Sequence, residues 1–172
     1  MLNSYYIISE FNSKIQINLK KNSNINVIFR PKVNDYNNQI LKLIIKTNIY
    51  NKIYLANKSN ICPIKGLAGI YISAFNKKTI ISSYFNGKSV VGSAHSIREI
   101  CEKIRSKCRV IFLSPILKDK TNKKAIGMIK FLLIRKHFKN ITLYPLGGVY
   151  SPRKLMNYGV SGFAGTEYFN KT

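Results

Sequence analysis

Long apolar runs are missing from this sequence of 172 residues, and with no stretch of eighteen apolar residues no transmembrane helix is expected. The first ten residues, Met1 to Glu10, lack a basic segment followed by a long apolar stretch, so no secretory signal is expected. Cysteines number three, Cys62, Cys101 and Cys108, and none stands in a Cys-x-x-Cys pair. An odd count without that spacing argues against a disulfide framework or a zinc site, and for reduced thiols in a cytoplasmic protein. Acids are scarce as well: Glu10, Asp35, Glu99, Glu102, Asp119 and Glu167 are all there are. No internal repeat or low-complexity linker divides the chain. The length suits one domain over 1–172, with a real core, and is too short for two ordinary ones.

Positive charge is what the chain has in excess. Its 29 Lys and Arg against six acids give a formal charge of +23, a balance that raises nucleic acid as a partner. Composition offers a simpler origin: 26 Ile and 19 Asn against six Ala, with abundant Lys, is what AT-rich codons produce. The cations are also dispersed, 12 in residues 1–86 and 17 in residues 87–172. No dense basic tract, RNP-like segment or zinc-finger spacing appears. Nucleic acid is therefore not expected to be the main partner, whereas phosphates and pyrophosphates suit so basic a chain.

Eight short apolar segments punctuate the sequence: Tyr5–Ser9, Asn26–Arg30, Lys52–Ala56, Ala68–Ser73, Ser89–Gly92, Arg109–Leu113, Ile141–Tyr144 and Val160–Ala164. Continuous apolar strands without strict alternation point to a parallel sheet covered on both faces. Between them lie helices. Ser96-Ile-Arg-Glu99 is a capping box, followed by Ile97, Ile100, Cys101 and Ile104 at helical spacing. Lys123 to Phe138 predicts a second helix with Ile126, Ile129 and Leu133 on one side. Ser151-Pro152 opens a third, short helix that Gly159 stops. Repeated strand–helix–strand order predicts right-handed βαβ units. Eight strands then predict an α/β fold, a small (β/α)8 TIM barrel with shortened or missing helices, especially after strands one, three and four. An open, flavodoxin-like sheet is the alternative. Little chain is left for a final helix; the sequence does not say whether that leaves an apolar flank for a partner or a second copy (a homo-oligomer) to cover.

Several of these segments carry residues with a chemical use. Gly147 and Gly148 follow strand seven, where backbone N–H groups approach a phosphate without side-chain obstruction, unless the pair only makes a tight turn. Arg30 and Lys32 stand two residues apart at the end of strand two. His95 begins a capped helix after strand five and suits general acid–base work, or else capping; the other histidine, His137, is expected on the surface.

In order along the chain, the motifs resemble the thiamine phosphate synthase and thiazole tautomerase (TenI) family. Phe29-Arg30-Pro31-Lys32 resembles its second-strand Arg-x-Lys, and Val91-Gly92-Ser93-Ala94-His95-Ser96 its Gly-x-Ser-x-His. Phe112-Leu113-Ser114-Pro115-Ile116-Leu117 is similar to its Gly-Pro-Ile-Phe turn, Leu146-Gly147-Gly148-Val149 to its Gly-Gly-Ile turn, and Tyr158 to Gly165 to its eighth-strand segment. The resemblance implies that Arg30 and Lys32 hold the pyrophosphate of a hydroxymethylpyrimidine substrate. It implies that Gly147, Gly148, Gly165 and Thr166 hold the phosphate of a thiazole substrate, and that the product is thiamine phosphate. Asn57, Thr121 and Lys123 fall in its further phosphate-binding segments, and His95 matches the proton-transferring residue of the tautomerase branch. The family's two magnesium-binding aspartates are unmatched: Lys58 and Asn76 stand in their places, so magnesium is implied only by the resemblance. A phosphate-ligand or nucleic-acid binder without chemistry is the remaining alternative.

Overall fold

The computed structural model describes residues 2–32, 37–57, 64–76, 88–117 and 124–170. Its elements run β1 (Asn3–Ile8), α1 (Ser13–Lys21), β2 (Asn26–Phe29), α2 (Asn38–Thr47), β3 (Lys52–Ala56), β4 (Leu67–Ile72) and β5 (Ser89–Ala94). They continue with α3 (Ile97–Arg105), β6 (Val110–Leu113), α4 (Met128–His137), β7 (Thr142–Pro145), α5 (Pro152–Met156), β8 (Gly162–Gly165) and α6 (Glu167–Asn170). The strands form one sheet in the order β7-β6-β5-β4-β3-β2-β1-β8, every neighbouring pair parallel. Ile7 lies opposite Ile28 on one side of β1, and Tyr5 opposite Ala164 on the other. The two free edges meet at a parallel bridge between Leu146 and Ala164. That bridge excludes the open, flavodoxin-like sheet, whose edges stay apart. The fold is a small, nearly closed (β/α)8 barrel that, among the described residues, lacks some of its helices.

Strand residues alternate between two apolar compartments, as the pleat requires. Tyr5, Ile7, Ile28, Tyr54, Ala56, Tyr71, Val91, Phe112, Tyr144 and Ala164 fill the barrel interior. Tyr6, Ile8, Val27, Phe29, Leu55, Ile72, Ile111 and Leu143 point outward into the layer beneath the helices. Rings let few residues fill the interior of such short strands: the Tyr5 ring centre lies 4.8 Å from that of Phe112 and 6.0 Å from that of Tyr54. At the N-terminal end of the barrel, Asn3 Nδ2 donates to the Tyr144 hydroxyl at 3.1 Å.

The helices depart from expectation in four places. A helix does follow β1: α1 matches α3 in length, and the Asn12 side chain caps it by accepting from Ile15 N at 3.0 Å. No helix is present after β3 or β4 among the described residues. The α3 stripe is rotated from the one the spacing predicts. Ile97 and Ile104 are exposed, while Ile100 and the stem of Lys103 are buried. On α4 the predicted face is the wrong one, since Ile129 and Leu133 are 79% and 65% exposed and Phe131 and Ile134 pack inward. This helix begins at Met128, after Gly127 at φ +84°, not at Lys123. Its apolar residues lie on two sides, so periodicity alone could not say which side packs.

The last departure concerns the flank beside β8. Residues of α6 cover it: Phe169 is buried, its ring stacked 4.7 Å from Tyr6 and 5.9 Å from Phe163. The Tyr6 hydroxyl donates to Asn170 Oδ1 at 2.6 Å.

Candidate functional site at the barrel mouth

In a parallel barrel the C-terminal strand ends and their loops form the working face. Residues that continue the inward register past each strand end therefore line the mouth. On β2 the inward residue is Ile28, and Arg30 continues its register beyond the last strand residue. On β5 the series is Val91, Ser93, His95, and on β6 it is Phe112, Ser114. Tyr71 and Ser73 play the same part on β4.

Hydrogen bonds tie this rim together. The Tyr71 hydroxyl donates to Ser93 Oγ at 2.7 Å, and Ser93 Oγ also accepts from Ala74 N at 3.0 Å. Burial pushes the Tyr71 phenol above its ordinary value; the Ser93 hydrogen bond and the Arg30 guanidinium beside it oppose that rise. Arg30 is thus a mouth residue, and exposed. Lys32 is also exposed, two residues further on.

His95 is held from two directions. Its backbone N–H donates to Glu99 Oε2 at 2.8 Å while Ser96 Oγ accepts from Glu99 N at 3.2 Å, so Glu99 reaches one residue before the cap instead of the Ser96 N–H that a capping box uses. The ring Nδ1 lies 2.9 Å from the Ser114 carbonyl oxygen and 3.2 Å from Ser114 Oγ. A carbonyl only accepts, so Nδ1 carries the proton, and in the neutral ring Nε2 is left with the lone pair. His137 is exposed, as expected.

The glycine turn lies next along the rim. Gly147 and Gly148 have φ of +86° and +70°, the left-handed region that favours glycine. Leu117 N donates to Gly147 O at 3.3 Å, and Ile116 N to Leu146 O at 3.1 Å, so the loop after β6 is seated on this turn. A Cβ at Gly148 would meet the Leu117 backbone at 2.8 Å. Packing therefore requires glycine there, whatever else the turn does. Gly165, at the end of β8, differs: a Cβ there would meet nothing within 4 Å. Thr166 beyond it is exposed.

On β3 and β4, Asn57 adopts φ +56° and donates its N–H to Tyr71 O at 2.8 Å. Its Oδ1 accepts from Ser73 N at 2.9 Å, so this oxygen serves the fold. The same loop is gripped from below by Lys103, whose Nζ donates to Ser73 O and Asn76 O, each at 2.7 Å. This lysine is only 2% exposed. Sequence reasoning missed Lys103, Ser114 and Tyr71. Lys103 could have been found from its place three residues after Ile100, inside the buried stripe. The other two act through contacts between strands about twenty residues apart, which no local spacing reveals.

Thr121, Lys123 and Lys58 lie outside the described residues, as do Cys62, Asp35 and Asp119. Cys101 and Cys108 are free thiols. No group of three His, Cys, Asp or Glu side chains that could hold a metal is present among the described residues. With Asn76 in the loop after β4 and Asn57 committed to Ser73 N, the described residues do not fit a magnesium site. No helix among the described residues is long and apolar enough to cross a membrane.

Fold and rim together define the class: a (β/α)8 barrel with a cationic, hydroxyl-lined mouth and a glycine turn after its seventh strand. Among solved structures the chain is similar to a thiamine phosphate pyrophosphorylase from Pyrococcus furiosus, with a TM-score of 0.70 and 16% identity over 99% of this chain and 91% of that one. It is also similar to a native KDPGal structure (TM-score 0.60, 14% identity, 95% and 82% covered). A third likeness is to the YdjI aldolase from Escherichia coli K12 (TM-score 0.56, 9% identity, 96% and 74% covered). At these identities the likeness is one of fold. No family model and no curated protein sequence matches the chain.

Proposed function

We propose that the chain is an enzyme of the thiamine phosphate synthase kind, acting on phosphorylated small molecules at the barrel mouth. The reaction is the coupling of a hydroxymethylpyrimidine diphosphate with a thiazole phosphate. The bond between the pyrimidine methylene and the diphosphate oxygen breaks, and pyrophosphate leaves with the electron pair. The thiazole nitrogen then donates its lone pair to the methylene carbon. Charge builds on the departing pyrophosphate, and Arg30, with Lys32 beyond it, would stabilise that charge. The observation that carries this reading is the position of Arg30 on the inward register of β2, beside Tyr71. Amides around Gly147, Gly148 and Gly165, with the Thr166 hydroxyl, would take the thiazole phosphate. Thr121 and Lys123 would complete that end.

The decisive assay incubates the purified chain with both substrates, with and without magnesium, and follows product by mass spectrometry. Arg30→Ala is expected to slow product formation by about 100-fold. Absence of product under both conditions would overturn the reading.

A specific observation favours a second activity, tautomerisation of the thiazole phosphate. With Nδ1 committed to Ser114 O, the His95 Nε2 lone pair is available to take a proton from one ring position and return it at another.

A further inference from the structure

A second cleft lies at the opposite end of the barrel, about 13 Å from the mouth along β7 at roughly 3.3 Å per residue. Its volume is about 420 Å³, within the range of small-molecule pockets. The C-terminal half of α4, residues Ile141 to Tyr144 and Ser161 before β8 line it, and it is open to solvent. We propose that this cleft is an anion site for an organic phosphate with an apolar or aromatic group, distinct from the mouth.

Three cations line it, Arg135, Lys136 and Lys139, and no carboxylate does. Arg135 Nη1 donates to Gly159 O at 2.9 Å. That acceptor is neutral, so it fixes the guanidinium between α4 and the loop before β8 without cancelling its charge. Among the described residues the other guanidinium donors meet no acceptor and can fork onto a phosphate. Thr142 and Ser161 add exposed hydroxyls, and the half-buried Phe138 supplies an apolar wall.

The plainer explanation is that cations at a helix C-terminus complement the helix dipole. That end carries about half a negative charge, against three full positive ones, and Lys139 lies beyond the helix. The helix end accounts for part of the charge and leaves a surplus. Nor can the rest of the chain neutralise it, since six acids face 29 cations.

The test titrates the 15N-labelled full-length chain with phenyl phosphate, inorganic phosphate and phenol. Saturable shifts at Phe138, Thr142 and Ser161 are expected with phenyl phosphate, weaker binding with inorganic phosphate, and none with phenol. The double variant Lys136→Gln/Lys139→Gln should weaken phenyl phosphate about tenfold. Lys42→Gln/Lys46→Gln, which removes two exposed charges from α2, should leave it within about twofold. Equal weakening by both doubles would reduce the effect to the general field of the chain and overturn the site. So would shifts confined to the mouth residues, or no saturation by about 10 mM.

Discussion

The imidazole Nδ1 of His95 lies 2.9 Å from the carbonyl oxygen of Ser114, across the boundary between β5 and β6. The contact fixes the tautomer and therefore names the reactive atom, Nε2. Replacing His95 with Gln keeps a donor near Ser114 but removes a group able to carry a proton in both directions. Thiazole tautomerisation, followed by solvent deuterium incorporation, should fall by about 10²–10⁴-fold, with phosphate-ester binding retained. An unchanged exchange rate would leave His95 a capping residue of α3.

Gly148 and Gly165 separate folding from binding at the phosphate end. Alanine at Gly148 combines φ of +70° with a contact of 2.8 Å to the Leu117 backbone, and should cost about 1–3 kcal/mol in urea unfolding. Alanine at Gly165 enters open space and should change stability by less than about 0.5 kcal/mol. If a phosphate rests against Gly165, calorimetry should show weaker phosphate-ester binding by the second variant alone. Unchanged affinity there would restrict the contact to the other amides.

The barrel was legible because its eight strands are short apolar segments set apart by polar or helix-like stretches, and each falls within about two residues of its expected place. The glycine turn and the Ser96 cap were also local, carried by neighbouring residues. Helix faces were harder. Ile129 and Leu133 repeat as regularly as Phe131 and Ile134, and only packing decides that the second pair is inside. Lys103 was hidden for the converse reason: its charge argues for the surface, yet its ammonium finds backbone carbonyls in a loop about thirty residues away in sequence.

Lys103→Met tests that grip. Methionine keeps much of the buried stem but leaves Ser73 O and Asn76 O without this donor. Loss of a buried charge relieves some desolvation, but both carbonyls lose a charged donor at 2.7 Å and Ser73 O keeps the Asn76 N–H at 3.1 Å, so about 1–3 kcal/mol of destabilisation is expected. Amide exchange at Ala74 and Asn76 should quicken in the same variant. Normal protection there would mean that the loop holds itself.

Cys108 gives the fold a dependence on alkaline pH. Burial pushes its thiol from 9.0 up to about 12, although the nearby Lys103 ammonium pulls the other way. Between those values the unfolded chain releases the proton and the native chain keeps it. Stability is therefore full below about pH 9 and falls as pH rises, by up to about 1.4 kcal/mol per unit. Burial also raises Tyr5, Tyr6, Tyr54 and Tyr71, which join above their ordinary value of 10.0. Urea midpoints between pH 8 and about pH 10 should decline for the wild type and much less for Cys108→Ala. Parallel declines would assign the effect to other groups.

Phe169 carries the last helix. Four residues are too few for a stable helix alone, so α6 must be held by its packing rather than by its own hydrogen bonds. The ring lies between Tyr6 and Phe163, and the Tyr6 hydroxyl reaches the next residue, Asn170. Phe169→Ala removes the ring that seats the helix, and should cost about 3–5 kcal/mol by urea denaturation. It should also expose Tyr6 and Phe163, visible as increased binding of a hydrophobic dye. Tyr6→Phe deletes only the hydroxyl bond and should cost about 1 kcal/mol without that exposure. If Phe169→Ala proves as mild as Tyr6→Phe, α6 is an ornament on β8 rather than the cover of its flank.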